Sequence, residues 1–229
     1  MKILSHKTFL LVLILIILGT ESHAQLSVGV RGGVNFSKFK VKDDIFPYAS
    51  KTGSSFAFLL NIPLNPFLSL QLEAGFSQYG TRYDITEEIN INNLTKNHFI
   101  GKLSTNYIEL PLLLQYKTQI RKLQAMVSIG PELRFRAGST KLSQSTKRWQ
   151  NDVLISDVYI RQPIHPDNAY RHIDYGLGAG IGIAYPVGPI KVFAEGRYHL
   201  GLRKLNPDWV TAFNRAASVN LGLSVPLKK

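Results

Sequence analysis

Cysteine is absent from the 229-residue sequence. Disulfide bonds, a lipidated cysteine at a cleavage site and thiolate metal sites are therefore excluded, and any metal would depend on histidine and carboxylate ligands. Long apolar runs are also absent after residue 24, where none approaches the length of a membrane-spanning helix, about 20 residues. Any membrane insertion must use strands, because only helices and closed barrels satisfy all backbone polar groups in lipid.

The sequence also lacks the motifs that support catalysis or cofactor binding. It contains no GxSxG elbow and no visible Ser/His/Asp arrangement. The glycines of residues 176–182 repeat every second position, which differs from the GxGxxG spacing of dinucleotide sites. His165, Asp167, His172 and Asp174 lie close together but match no recognised metal spacing. We therefore predict no catalytic residue, no cofactor and no metal.

The N-terminus has the features of a secretory signal peptide. Two lysines precede the ten-residue apolar run 9–18, and the small-residue sequence Ser22-His23-Ala24 follows it. The run is about half as long as a spanning helix, so an uncleaved anchor is the weaker interpretation. We expect residues 1–24 to be removed. Residues 25–229 should then form one domain, because no linker or charge block divides them.

Basic residues outnumber acidic residues by 27 to 15, which gives a formal net charge of +12. Loss of the signal peptide removes two lysines and one glutamate and leaves a net charge of +11. Such an excess suits anionic partners such as lipopolysaccharide, nucleic acid or acidic glycans. Export argues against nucleic acid. We therefore expect outer-membrane lipid and lipopolysaccharide as partners, with envelope proteins as further candidates.

Eight segments alternate between apolar and small or polar residues, which indicates strands. The alternation is clearest in residues 68–77 and 217–227. Most segments are nine to twelve residues long, close to the 9 to 11 residues with which a tilted strand typically crosses a bilayer. The eight predicted strands are residues 26–36, 54–62, 68–77, 105–116, 123–136, 174–185, 190–200 and 217–227.

The connections between these strands alternate between short and long. The short turns are residues 61–66, 117–122 and 186–189, and the long loops are residues 37–53, 80–104, 137–173 and 201–215. Outer-membrane barrels have short periplasmic turns and long external loops. We therefore predict an all-β fold, an eight-stranded antiparallel transmembrane β-barrel. Within residues 137–173, the segments Arg148-Trp149 and 153–160 are unexpectedly apolar for a solvated loop. They predict a hairpin that extends the flanking strands and packs on Trp149 and Tyr159, or alternatively a binding surface.

The composition of the polar face predicts which face meets lipid. A lipocalin-like soluble barrel would turn its apolar face inward and cover its exterior with Lys and Glu. Here the polar face is largely Gly, Ser, Asn and Gln, which suits a crowded lumen. Aromatic residues near the strand ends of the apolar face indicate two interfacial girdles. They are Phe36, Phe76, Phe135, Tyr175 and Tyr198 at the outer ends and Tyr116 and Tyr185 at the periplasmic ends.

Ten charged residues fall on the face assigned to the lumen. They are Arg31, Glu73, Glu109, Glu132, Arg134, Arg136, Asp174, Lys191, Glu195 and Arg197. Five positive side chains oppose five negative ones, and buried charges persist where they are paired. This predicts a neutral structural network that fills an eight-stranded lumen. The alternative is a proton or ion path through the same groups.

Several segments resemble a known family. They are residues 29–35 (GVRGGVN), 107–116 (YIELPLLLQY), 128–132 (SIGPE), 178–182 (GAGIG) and 195–202 (EGRYHLGL). Together with the Ala24-Gln25 cleavage context they resemble the PorT-like, porin-family outer-membrane β-barrel domain of Bacteroidetes. The resemblance spans essentially the whole mature chain. It implies an eight-stranded barrel in the outer membrane, in a family whose members mostly have no assigned activity.

Three classes of function are compatible with these features. The first is a plugged outer-membrane barrel with a structural role or a surface-binding role through its external loops. The second is a barrel component of a secretion or envelope-assembly machine. The third is a small pore or a lipid-modifying barrel enzyme, which would need a Ser or His cluster at the outer rim. His199 is the only histidine within a predicted strand.

Overall fold

The computed structural model describes residues 25–41, 48–91, 93–164, 171–205 and 212–227. The elements in these ranges are all strands, and none of the described residues forms a helix long and apolar enough to cross a membrane. The strands are β1 (Ser27–Val41), β2 (Tyr48–Pro63), β3 (Leu68–Ile91), β4 (Asn93–Ile120), β5 (Leu123–Arg136), β6 (Lys141–Gln150), β7 (Val153–Pro163), β8 (Ile173–Val187), β9 (Ile190–Gly201) and β10 (Ala212–Pro226).

Eight of these strands close into a ring. The order is β3-β2-β1-β10-β9-β8-β5-β4, and β4 pairs back with β3. Every pairing is antiparallel, and the first and last strands pair along their whole length, from Ser27 with Pro226 to Val41 with Ala212. The ring therefore has no free edge, which is how a barrel satisfies its backbone in lipid. The predicted eight-stranded antiparallel barrel is confirmed.

The predicted long loop at residues 80–104 is wrong. β3 and β4 continue through it as one hairpin, paired from Leu68 with Tyr116 to Ile91 with Asn93. The extension was missed because most of its side chains are polar on both faces, so the alternation that marks the lower part of each strand is lost there. The backbone ladder continues where the side-chain pattern does not.

The predicted hairpin within residues 137–173 exists, but its origin differs from the prediction. β6 and β7 are separate strands rather than extensions of β5 and β8, and β6 pairs with the upper half of β4. The turn between them uses Asn151 and Asp152 at φ 48° and 63°, the left-handed values that two-residue hairpin loops require. Trp149 is partly buried beside the His98 ring, whereas Tyr159 is 64% exposed and does not act as a packing centre.

The two faces of the barrel wall differ as predicted. Leu221 is 64% exposed on the outside, while its neighbour Asn220 is fully buried inside. The predicted girdle aromatics lie on the outer face, where all but the half-buried Phe135 are exposed. Because the apolar side chains point outward and the polar ones inward, the polarity is that of a membrane barrel and opposite to that of a lipocalin-like one.

The lumen is layered along its axis. At the end with the short turns, a cavity of about 480 Å³ opens above an apolar cluster. The charged groups fill the middle. At the opposite end, Phe39, Leu205 and Ala212 form a second apolar cluster with Val41 and Leu103 packed against it. The members of the first apolar cluster are Ala57, Leu59, Met126, Ala184 and Phe193.

Candidate functional site

One charge cluster in the lumen is built around Glu73 of β3. Its carboxylate accepts hydrogen bonds from Arg31 of β1 at 2.8 Å and from Arg197 of β9 at 2.7 Å. The Arg197 guanidinium also contacts Glu195 at 2.7 Å, and Arg31 donates to Asn220 at 2.9 Å. All of these side chains are buried. Because the three elements lie apart around the ring, the cluster bridges the barrel wall across its interior.

A second cluster lies next to the first and is centred on Arg134 of β5, which is completely buried. Its guanidinium donates to Asp174 of β8 at 2.7 Å and to Glu132 at 2.8 Å, and it lies 3.5 Å from Glu109 of β4. The guanidinium also stacks over the Tyr79 ring, 5.3 Å from the ring centroid. Removing one partner of such a pair would leave an uncompensated buried charge, which is strongly destabilising.

His199 completes the second cluster and was not among the predicted lumen residues. Its Nδ1 lies 2.9 Å from Glu132 Oε1, and its Nε2 lies 3.1 Å from Ser218 Oγ. The signal was available, because His199 has the same strand parity as Glu195 and Arg197. The contacts from Ser218 through His199 to Glu132 resemble those of a catalytic triad, but the nucleophile of a triad must be accessible to its substrate. Ser218 and His199 are each only 4% exposed, and neither lines the cavity at the short-turn end.

Two of the predicted lumen residues lie outside the buried clusters. Arg136 is half-buried at the end of β5, within 3.4 Å of the His172 ring, and Lys191 is exposed at the mouth of the cavity at the short-turn end. Both lie near strand ends, where the lumen opens. The buried clusters therefore contain three guanidiniums and five carboxylates, so the predicted five-to-five balance does not describe them. His199 and neutral hydrogen-bond donors supply the remaining contacts.

The glycines of β8 explain how the carboxylates fit. A Cβ on Gly180 would lie 2.7 Å from Glu195 Oε1, and a Cβ on Gly178 would overlap Glu132 Oε1. These positions face the lumen. The repeat that superficially resembles a nucleotide loop therefore provides space for the two charge clusters.

The structure does not bring together the histidines and aspartates that were considered as metal ligands. Asp174 points to Arg134 in the lumen, and His172 contacts Arg136. His165 and Asp167 lie outside the described residues. Within the described ranges, no group of three or more His, Asp or Glu side chains is placed to hold a metal ion.

A closed antiparallel ring of eight strands, apolar outside and polar inside, defines a transmembrane β-barrel of the outer-membrane type. The chain belongs to the outer membrane protein β-barrel domain family, whose model matches residues 20–206. Membership indicates an outer-membrane location. The predicted signal peptide, residues 1–24, lies outside the described residues and stays a prediction.

Three solved structures are similar to this chain. Neisserial surface protein A is 14% identical, with a TM-score of 0.42, covering 87% of this chain and 97% of its own. OprG from Pseudomonas aeruginosa is 11% identical, with a TM-score of 0.45, covering 91% and 99%. Ail of Yersinia pestis, solved with the heparin analogue sucrose octasulfate, is 14% identical, with a TM-score of 0.39, covering 89% and 100%. No functionally curated protein matches the sequence.

Proposed function

We propose that this protein is a plugged outer-membrane barrel whose lumen is structural and whose β-sheet extension is a binding surface. The observation that supports the plug is the burial of Arg134 and Arg197 between carboxylates contributed by different strands. An eight-stranded barrel has an interior just wide enough for side chains to fill. A solute would have to displace these buried ion pairs to pass through the lumen.

The binding surface is the part of the sheet that rises above the ring. We call it the platform and define it as residues 78–106 of β3 and β4 together with β6 and β7. Its strands are joined by continuous ladders from Gln78 with Asn106 to Ile91 with Asn93, and from Ser104 with Lys141 to Thr95 with Gln150. A hydrogen-bonded sheet holds its side chains in fixed positions, which favours recognition more than a loose loop does.

In the proposed orientation the short turns lie in the periplasm and the platform lies outside the cell, as in other outer-membrane barrels. We also propose that the chain is exported by a signal peptide, residues 1–24, and that it is a member of the PorT-like group of Bacteroidetes. Interaction with lipopolysaccharide follows from the orientation and from the net charge of +11 that remains after loss of the signal peptide.

Labelling of intact cells tests the orientation. A cysteine introduced at Gln150, at the end of β6, should react with a membrane-impermeant maleimide, whereas one at Gln119, at the end of β4 beside its short turn to β5, should react only after lysis. Neither variant has a competing native cysteine. Labelling at Gln119 but not Gln150 on intact cells would show that the topology is inverted. Liposome swelling with small sugars tests the plug, and we expect no swelling above that of protein-free liposomes.

A second candidate function is a role within an envelope assembly, and the edge strand β7 favours it. β7 ends the strand order and pairs only with β6 in the described part of the chain. Its apolar side chains are exposed, with Val153 at 63% and Ile155 at 52%. An exposed apolar edge can accept a strand from another protein. A photo-crosslinking residue at Ile155 should then capture an envelope protein that the same residue at Gln119 does not.

A further inference from the structure

A cleft with a volume of about 640 Å³ lies on the outer face of the platform, directly above the barrel wall. Among the described residues, five cationic side chains and no carboxylate line it. The cationic residues are Lys51, Arg82, Lys102, Lys141 and Arg161. Amide and hydroxyl groups from residues such as Asn106, Ser143 and Tyr159 complete the lining. We call it the basic cleft.

Strand register brings the cations of the basic cleft together. Arg82 is paired with Lys102, Lys102 with Ser143, and Ser143 with Arg161, so a single row across four strands contains three cations. Lys141 lies in the adjacent row on the same face, opposite Ser104. Paired residues on antiparallel strands share a face, and like charges placed directly opposite each other are destabilising.

In the described part of the chain, the charges of the basic cleft have no anionic partner. Among the described residues, none of its five cations forms an ion pair, whereas nearby Lys96 and Lys147 pair with Glu88 and Asp157. The Lys51 ammonium donates to Gln78 Oε1 at 2.9 Å, a neutral partner. Burial and the neighbouring Lys102 charge lower the pKa of Lys51. A bound anion would relieve this mutual repulsion.

The basic cleft begins directly above the apolar band of the barrel wall. On the outer face, Phe76 and Ile108 are paired at the top of the apolar band, and Gln78 with Asn106 begins the cleft lining one step higher. Lys141 lies opposite Ser104, four residues above Ile108, a rise of about 10 Å once strand tilt is included. The headgroup layer begins where the hydrocarbon core ends and is about 5 to 8 Å thick on each side. Gln78 and Asn106 therefore lie within this layer, and the backbone of Lys141 lies just above it, within the reach of a lysine side chain.

We propose that the basic cleft binds the phosphate-bearing sugar headgroup of an outer-leaflet glycolipid, with the acyl chains against the apolar band below Phe76 and Ile108. Lys102, Lys141 and Arg161 contact phosphate oxygens, since charge-assisted hydrogen bonds to phosphate are strong. Amide and hydroxyl groups such as those of Asn106 and Ser143 meet the sugar. This assignment rests on the proposed outward orientation of the platform and names the ligand class for that surface.

Native mass spectrometry of the protein refolded in non-ionic detergent tests the assignment with diphosphoryl lipid A as the probe. The cleft variant is Lys102→Gln/Lys141→Gln, and the matched control is Lys122→Gln/Lys191→Gln, which removes two exposed ammonium groups at the short-turn end. We expect the cleft variant to bind at least tenfold more weakly than wild type and the control to bind within twofold. Lys102→Arg/Lys141→Arg should retain binding, which separates charge loss from misfolding.

Three further arms identify the source of the anion. Dephosphorylated lipid A should bind at least tenfold more weakly than the diphosphoryl form, and inorganic pyrophosphate and a heparin-derived oligosaccharide should not compete at equal concentration. Equal losses in the cleft and control variants would overturn the site, and effective competition by either soluble anion would overturn the lipid as its ligand. Because the assay uses purified protein, a negative result leaves cell labelling and liposome swelling unchanged and is distinguishable from failure of the proposed function.

Discussion

The lumen and the basic cleft both contain cationic side chains, but only those in the lumen are paired with carboxylates. In the lumen, Arg134 and Arg197 are buried and each contacts at least two carboxylates at 2.7 to 2.8 Å. In the basic cleft, Lys102 and Arg161 are exposed and have no ion-pair partner among the described residues. Cations that are satisfied inside the protein stabilise it, whereas cations left unsatisfied at its surface are available to a ligand. Whether a cation has a carboxylate partner within the protein therefore distinguishes the structural charges from those that can bind a ligand.

The largest expected effect is loss of a cation from the lumen. Arg134→Met should lower the free energy of unfolding by about 3 to 5 kcal/mol, because it leaves buried carboxylates on β4, β5 and β8 without their partner. Urea titration of the protein refolded in lipid vesicles measures the effect. Arg136→Met, at the rim of the same strand, is the matched control and should cost less. Equal costs would show that the buried cluster is not what stabilises the barrel.

A charge placed on the lipid face should lower the free energy of unfolding somewhat less than Arg134→Met does. Leu221→Arg should lower the free energy of unfolding by about 2 to 4 kcal/mol if this position lies near the bilayer midplane. The same substitution at Val225, four residues nearer the end of β10, should cost less, since the penalty falls towards the interface. Asn220→Arg should not follow this depth rule because its side chain points into the lumen. A cost that is uniform along β10 would contradict the assigned lipid face.

Filling the space beside a lumen carboxylate should have a smaller effect. Gly178→Ala places a Cβ against the Glu132 carboxylate and should lower the free energy of unfolding by about 1 to 3 kcal/mol. Gly196→Ala is the control, since a Cβ there meets no other atom within 4 Å. The same urea titration compares them, and the prediction fails if Gly196→Ala is the more destabilising.

The smallest effect is expected in the basic cleft. Lys102→Gln/Lys141→Gln should change the free energy of unfolding by no more than about 0.5 kcal/mol, because both side chains are exposed and neither has an ion-pair partner in the described residues. A small gain is the expected direction, since like charges repel. A loss as large as that of Arg134→Met would show that these lysines are structural and would remove the contrast between the two regions.

The sequence alone was sufficient to predict the ring because lipid and lumen impose opposite demands on neighbouring residues. Residues 68–77 and 217–227 alternate cleanly for this reason, and both lie in the barrel wall as predicted. Above the membrane this demand ends. The continuation of β3 to Ile91 and the pairing of β6 with β4 therefore left no periodic signal in the sequence.

The functional groups were partly predictable for a related reason. Strand parity placed Glu73, Glu109 and Arg134 in the lumen, but it could not show which of them meet, because that depends on register and closure of the ring. Glu109 and Arg134 are direct partners on the adjacent strands β4 and β5. Glu73 instead reaches Arg31 on β1, which is separated from β3 by β2. His199 could have been included on parity alone. The basic cleft could not have been predicted, since it depends on the register between β4 and β6, two strands that are not consecutive in the chain.

The conductance of the refolded protein in a planar bilayer tests the central claim most directly. The claim is that charges inside the barrel are structural, so that the buried clusters around Glu73 and Arg134 close the lumen. We expect wild type to show no steady conductance, and Glu109→Leu to lose stability before it gains permeability, because its removal leaves Arg134 with one carboxylate fewer. A steady, large and weakly selective conductance in wild type would contradict the plug and show that the barrel is a pore.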